Sequence, residues 1–141
     1  PDHEATVAVL ADAARRDRTA GLRPVLAAQV VSDMAGLADQ VHVDAAILAY
    51  VARIAEETRR HRNVRLGLSV RGCLAFVRCA KTWAVSQGRT HVVPDDIKII
   101  AEPIMAHRLL LTSEAEFAGV QVGDVVGQVL GEVAPPTERS R

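Results

Sequence analysis

This sequence has few aromatic residues, only two cysteines and no net charge. Phe, Trp and Tyr make up 3% of its 141 residues, whereas hydrophobic residues make up 49%. Because strands favour aromatic and β-branched residues, this composition favours close-packed helices over an aromatic-rich β-sandwich. The 17 basic residues balance the 17 acidic ones. A chain without net charge has no overall field that would draw nucleic acid or an anionic membrane to it.

Segments that would direct the chain to a membrane are also missing. No apolar run reaches the roughly 20 residues of a membrane span, and no charged-then-apolar signal segment opens the chain. The first residue is Pro1 rather than methionine, so we expect this chain to be a fragment of a longer protein. Its length predicts one domain. We expect a cytoplasmic protein with neither nucleic acid nor membrane as a partner.

Motifs of the common catalytic and metal sites are absent. Cys73 and Cys79 lie on one predicted helix, about 9 Å apart along its axis, which is too far for a disulfide; we expect both to be reduced, as in the cytosol. The five histidines are scattered and form no zinc framework. There is no GxxxxGK phosphate loop, no GxSxG and no HExxH. We therefore expect no metal site, no catalytic residue and no enzymatic activity from this chain alone.

Apolar residues at helical spacing predict helices through most of the chain. Asp2 and Asp44 are expected to cap two of them, and Pro94 suits the first position of another. Leu109 to Leu111 is expected to form a short strand beside residues 90–93. The predicted helices are residues 2–17, 26–37, 44–60, 70–87, 94–106 and 122–133. The expected inner face of the second helix is Val30, Val31, Met34 and Leu37.

Residues 65–87 are the stretch around which we expect the chain to be organised. Ser69 can cap a helix by accepting a hydrogen bond from the backbone N–H two or three residues later. Arg71 then lies in the first turn, beside unpaired N–H groups that favour anions. Taken alone, such an arginine is more often solvated or weakly paired than bound to phosphate. Gly88 is expected to end the helix. The residues on its predicted, largely apolar face are Val70, Cys73, Leu74, Val77, Ala80, Lys81 and Ala84.

Two arginine-rich runs lie at predicted helix ends. Cations suit the C-terminus of a helix, so both runs are consistent with solvated helix ends. The second run directly precedes the turn at residues 67–69, so an anion bound at that turn would feel its charge. The members of the two runs are Arg15, Arg16 and Arg18, and Arg59, Arg60, Arg62 and Arg65.

Three motifs, in order and with matching spacing, resemble the C-terminal helical lid of MoxR-type AAA+ ATPases. Gly67-Leu68-Ser69-Val70-Arg71 is similar to that family's Gly-Ala-Ser-Pro-Arg turn, the sensor-2 motif. The second motif, residues 92–97, is similar to its Val-Thr-Pro-Glu-Asp-Val stretch. The third is His107-Arg108-Leu109-Leu110-Leu111. The resemblance covers residues 24–120, and residues 1–18 resemble the helix that joins the lid to the ATPase core.

The resemblance implies a mostly α fold, an AAA+ lid bundle of about five helices with a small two- or three-stranded β element. It implies a bridging helix at 1–18, a lid at 19–133 and a disordered tail at 134–141. Arg71 would approach the γ-phosphate of ATP bound with Mg²⁺ by a preceding core, with Gly67 and Ser69 shaping the turn. The parent protein would be an oligomeric, hexameric ATP hydrolase acting as a remodelling chaperone. Its partners would be its own core, neighbouring subunits and a von Willebrand A-domain protein.

The isolated chain is not expected to bind nucleotide. One charge-assisted hydrogen bond contributes about 1.5–3 kcal/mol, whereas millimolar affinity already needs about 4 kcal/mol. We therefore predict that calorimetry detects no ATP or ADP binding to this chain alone. Micromolar binding of either nucleotide would contradict the prediction.

Four residues depart from the family's pattern. Val70 replaces the proline, so the first helical turn is less preset. Leu68 is bulkier than the alanine that is usual at its position. Gly72 also replaces a usual alanine, and the glycine costs the first helical turn up to about 1 kcal/mol. Val93 replaces a capping threonine. These departures affect the geometry around the turn and leave Arg71 in place.

Two other interpretations stay open. The chain could be a stand-alone helical interaction or DNA-binding module of the histone-fold or helix-turn-helix kind, although zero net charge argues against DNA. It could also be a structural domain in which Arg71 pairs with a carboxylate of the core. The sequence does not decide whether the two arginine runs contact nucleotide or neighbouring subunits.

Overall fold

The computed structural model describes residues 1–13 and 22–137 and is mostly helical. The predicted boundary at residue 18, the run at Arg15, Arg16 and Arg18, and the last four residues of the predicted tail lie outside the described residues. The chain forms two compact units, Pro1–Ser32 and Asp33–Arg141. The elements are α1 (His3–Ala13), α2 (Ala28–Asp39), α3 (Ala45–Arg60), β1 (Val64–Leu66), α4 (Val70–Ser86), α5 (Pro94–Met105), β2 (Leu110–Leu111), α6 (Ser113–Phe117) and α7 (Val122–Glu132).

The predicted helix starts are confirmed by their caps. Asp2 Oδ1 accepts from the N–H of Ala5 at 2.8 Å, and Asp44 Oδ1 accepts from the N–H of Ala46 at 2.7 Å. Pro94 is the first residue of α5, where its missing N–H costs nothing. No helix in the described residues is both long and apolar enough to cross a membrane.

The inner face expected for α2 is wrong. The helix buries none of its residues. The exposed side chains are Val30, Val31, Met34 and Leu37.

A single core lies between α3, α4, α5 and α7. Its largest buried side chains are Tyr50 and Phe76. On α4 the buried residues recur at every fourth position, at Gly72, Phe76, Ala80 and Ala84. The apolar face predicted for this helix is therefore partly wrong, since Val70 and Leu74 are exposed. Small residues on the buried row let neighbouring helices approach closely, and Phe76 supplies the bulk.

The small β element has a different partner from the one predicted. β2 pairs antiparallel with β1, with Val64 opposite Leu111 and Leu66 opposite Leu110. Residues 90–93 instead flank His42. The His42 N–H donates to the carbonyl of Thr90 at 2.9 Å, and the Val92 N–H donates to the carbonyl of His42 at 3.0 Å. Because these hydrogen bonds join 90–93 to the segment before α3, the expected pairing of Leu109–Leu111 with 90–93 is wrong.

Candidate functional site

Arg71 is the second residue of α4, at an N-terminus capped as the sequence predicts. Ser69 is extended, with φ −78° and ψ 164°. Its Oγ accepts from the N–H of Gly72 at 3.2 Å, and its carbonyl accepts from Cys73 at 3.0 Å. The Arg71 side chain is exposed. Within residues 1–13 and 22–137, Arg71 has no side-chain hydrogen bond or ion pair, so none of these residues is the carboxylate partner that the structural interpretation requires.

The turn before α4 is held by the last residues of α3. The N–H of Leu68 donates to Thr58 Oγ1 at 2.9 Å, and Arg59 Nε donates to the carbonyl of Leu68 at 3.0 Å. Thr58 Oγ1 in turn donates to the carbonyl of Ala55 at 2.7 Å. Both backbone polar groups of Leu68 are therefore bound by two consecutive side chains of α3.

Two glycines let the turn pack this closely. A Cβ on Gly67 would lie 2.7 Å from the backbone nitrogen of Arg59 and 2.8 Å from its Cα. A Cβ on Gly72 would lie 2.5 Å from Leu68 Cδ1, and Leu68 is fully buried. Two departures from the family pattern thus compensate each other, because the bulkier Leu68 occupies the space that Gly72 leaves.

Sequence analysis missed the role of Thr58. It lies on the inward face of α3, at helical spacing after Val51, Ile54 and Ala55, yet it is polar and 0% exposed. Buried polar groups in proteins are nearly always hydrogen-bonded. A hydroxyl on an otherwise apolar stripe was therefore the available signal that α3 binds a non-helical segment.

The second arginine run contacts the same turn through Arg59. The Arg59 side chain donates a hydrogen bond to the Leu68 carbonyl. Arg60, Arg62 and Arg65 are exposed, and no side-chain hydrogen bond or ion pair involves them in the part of the chain that the structure describes. These three side chains remain available to an anion or to another surface.

An open groove of about 320 Å³ runs between α3 and α4, beside the first turn of α4. Cys73 lies in its wall, and burial raises the pKa of the Cys73 thiol, while the charge of Arg59 lowers it to a smaller extent. Both cysteines are free. No group of three or more His, Cys, Asp or Glu side chains in the described ranges is arranged to hold a metal ion. The groove is lined by Leu48, Ala52, Ala55, Glu56, Arg59, Val70, Cys73, Leu74 and Val77.

The second motif contributes Asp96 to a partly buried ion pair at the start of α5. Gly88 has a positive φ of 71° and ends α4, as predicted, with two reversed hydrogen bonds of the Schellman type. After this turn, Arg89 lies beside Asp96. Arg89 Nη1 donates to Asp96 Oδ2 at 2.7 Å, and Arg89 Nη2 donates to Asp96 Oδ1 at 2.5 Å. Asp96 Oδ2 also accepts from the N–H of Val93 at 2.9 Å.

Opposing effects act on the Asp96 carboxyl. Burial raises its pKa, but the hydrogen bonds from Arg89 and Val93, with the nearby charges of Arg89 and His91, outweigh burial. The pKa of Asp96 is therefore lower than usual. Val93 makes no side-chain cap, as its replacement of threonine predicts.

The third motif packs against the first. Arg108 Nη1 donates to the carbonyl of Ile104 at 2.6 Å and contacts the ring of His107. Arg108 Cδ would lie 3.4 Å from a Cβ on Gly72, so the stem of Arg108 borders the first turn of α4. Two motifs that are about forty residues apart in the chain thus meet around the turn that carries Arg71.

Comparison with known proteins identifies the fold that carries this site. The model of the AAA lid domain family matches residues 56–129, which include all three motifs. The chain belongs to the AAA lid domain family. A solved structure of a candidate ATPase from Cytophaga hutchinsonii superposes on 96% of the present chain and 44% of its own chain, with a TM-score of 0.76 and 21% identity. The helical lid fold is confirmed.

Sequence relatives identify the branch of the family. The chain is 34% identical over 119 residues to the uncharacterised protein YeaC of Bacillus subtilis, covering 84% of the chain and 37% of YeaC. It is 28% identical over 130 residues to the chaperone MoxR1 of Mycobacterium tuberculosis, covering 82% of the chain and 34% of MoxR1. It is 32% identical over 95 residues to the protein MoxR of Paracoccus denitrificans, covering 58% of the chain and 28% of that relative. The resemblance to the lid of MoxR-type AAA+ ATPases is confirmed. The chain spans about a third of the length of these relatives.

Proposed function

We propose that this lid domain senses ATP bound by an ATPase core in a longer protein, and that Arg71 is the sensor. The observation that carries the proposal is an exposed arginine without a partner among the described residues, at the capped N-terminus of α4. A guanidinium offers several N–H donors in a planar fork that matches the oxygens of a phosphate. The N-terminal end of the helix also favours an anion at the same place.

Sensing follows from the difference between ATP and ADP. Arg71 would gain a charge-assisted hydrogen bond when a γ-phosphate is present and would lose it after hydrolysis. A ligand shifts a conformational equilibrium only by its differential affinity for the two states. The bond to the γ-phosphate is such a difference, and it would bias the angle between lid and core. Gly67 and Ser69 support this role, one through close packing and the other as the cap.

The remaining properties belong to the whole protein and form part of the proposal. The parent would bind ATP with Mg²⁺ through its core, hydrolyse the ATP, assemble as a hexamer in the cytoplasm and act as a remodelling chaperone. Its partners would be neighbouring subunits and a von Willebrand A-domain protein. One relative is named a chaperone, which supports this class of activity.

The Arg71→Ala substitution in the full-length protein tests the proposal. Loss of one charge-assisted hydrogen bond of about 1.5–3 kcal/mol should lower kcat/KM for ATP hydrolysis about 10- to 150-fold. Affinity for ADP should change little, because ADP lacks the γ-phosphate. Steady-state ATPase kinetics and ADP titration measure both quantities.

Arg78→Ala is the matched control, since Arg78 is an exposed arginine two turns further along α4. It should leave kcat/KM unchanged. Wild-type kinetics in the Arg71→Ala protein would refute the sensor role.

A further inference from the structure

Val70 contributes little to fixing the first turn of α4, so the Ser69 cap needs support from elsewhere in the chain. Val70 occupies the first helical position and its side chain is 70% exposed, so it restrains the backbone little. Proline at this position would preset φ for the helix. An arginine that is to meet a phosphate needs a fixed starting direction, because a small misplacement costs much of the interaction.

We infer that Thr58 and Arg59 are positioning residues that aim Arg71 by holding the backbone of Leu68 against α3. The inference rests on the proposed sensing function and assigns it a second group of residues. Leu68 lies three residues before Arg71. Its N–H and its carbonyl are bound by adjacent side chains at 2.9 Å and 3.0 Å, so neither of the two peptide units that flank the Leu68 Cα can rotate without losing a hydrogen bond.

Close packing also restricts movement of the turn at residues 67–69. Gly67 lies against the backbone of Arg59 with no room for a Cβ, and the Leu68 side chain fills the space above Gly72. Ser69 then begins α4 through its cap. The direction in which Arg71 leaves the lid is thus tied to the end of α3 rather than to Val70.

A substitution of Thr58 can distinguish a positioning role from direct contact with nucleotide. Its side chain is 0% exposed, so it cannot touch ATP, whereas Arg59 lines the open groove and could. A change in ATP hydrolysis caused by a substitution of Thr58 therefore cannot come from a lost contact with nucleotide. The Thr58→Val substitution keeps the shape of the side chain and removes its hydroxyl, which leaves the buried N–H of Leu68 without an acceptor.

The test combines two measurements on Thr58→Val. Amide hydrogen exchange of the 141-residue chain should show the Leu68 N–H exchanging about tenfold or more faster than in wild type. In the full-length Thr58→Val protein, kcat/KM for ATP should fall about tenfold with little change in ADP affinity. In the double variant, Thr58→Val should cause little further loss of kcat/KM beyond that of Arg71→Ala. Thr58→Ser should behave as wild type. Thr82→Val is the control, because among the described residues the Thr82 hydroxyl bonds only to the carbonyl of Arg78, in its own helix.

A rescue experiment distinguishes positioning from general loss of stability. Ser69 already has the extended conformation that a following proline requires, so Val70→Pro should restore ATP hydrolysis to the Thr58→Val protein. Normal ATP kinetics in Thr58→Val, beside a defective Arg71→Ala, would overturn the positioning role and leave the sensor role standing. A defect that Val70→Pro does not relieve would also overturn it. If Arg71→Ala itself behaves as wild type, the sensor role fails and the positioning role fails with it.

Discussion

The Gly67→Ala substitution is expected to lower the free energy of unfolding of the chain by about 3 kcal/mol, at the upper end of the usual cost of overpacking. The added Cβ would lie 2.7 Å from the backbone nitrogen and from the Cγ of Arg59. A flexible side chain could move aside, but the backbone of α3 cannot do so without disturbing the helix. The cause is space rather than conformation, because in the described chain only Gly88 and Gly119 have positive φ values.

Urea unfolding of the wild-type and Gly67→Ala chains measures this effect. Gly127→Ala is the matched control, since Gly127 is exposed within α7 and a Cβ there would meet nothing within 4 Å. Alanine favours a helix over glycine by up to about 1 kcal/mol, so this control should stabilise the chain. The same chemical change should therefore have opposite signs at the two positions. A Gly67→Ala chain as stable as wild type would show that the turn does not depend on its contact with α3.

Local signals in the sequence predicted the features that depend on neighbouring residues. The caps at Asp2, Asp44 and Ser69, the proline start of α5 and the end of α4 at Gly88 all involve hydrogen bonds or backbone angles within a few residues. The position of Arg71 in the first turn of α4 follows from the cap. Such features are encoded locally, so one sequence is enough to find them.

Features that depend on distant segments were not predictable in the same way. Leu110–Leu111 pairs with residues 64–66 rather than 90–93, and both choices satisfy the same preference of Leu and Val for strands. The buried face of α4 is decided by which row of its surface meets α5, so spacing alone did not exclude Val70 and Leu74. The support of Leu68 by Thr58 and Arg59 joins the end of one helix to the loop before the next. Sequence reasoning noticed the charge of Arg59 and missed its hydrogen bond.

The Asp96→Ala substitution is expected to lower the free energy of unfolding by about 3 kcal/mol, the lower end of the range for breaking a buried ion pair. Asp96 is 2% exposed, whereas its partner Arg89 is 29% exposed and can recover some hydration. The substitution also removes the acceptor of the Val93 N–H at the start of α5. Asp95→Ala is the control, one residue earlier in the same turn. Asp95 is 76% exposed and its pair with Lys98 lies on the surface, so its loss should cost less than about 1 kcal/mol.

The acid sensitivity of the chain should change with the same substitution. The pKa of Asp96 is lower in the folded chain than the value of about 3.9 expected for an unfolded chain. The unfolded state therefore binds the proton first as the pH falls. The stabilisation by the Asp96 carboxylate is fully present above about pH 5, and it is lost as the pH falls through about 4 and then through the lower pKa of the folded state. Urea unfolding from pH 7 to pH 2 should show a shallower acid decline for Asp96→Ala than for wild type or Asp95→Ala. An Asp96→Ala chain that loses stability toward low pH as steeply as wild type would place the acid-sensitive carboxylate elsewhere.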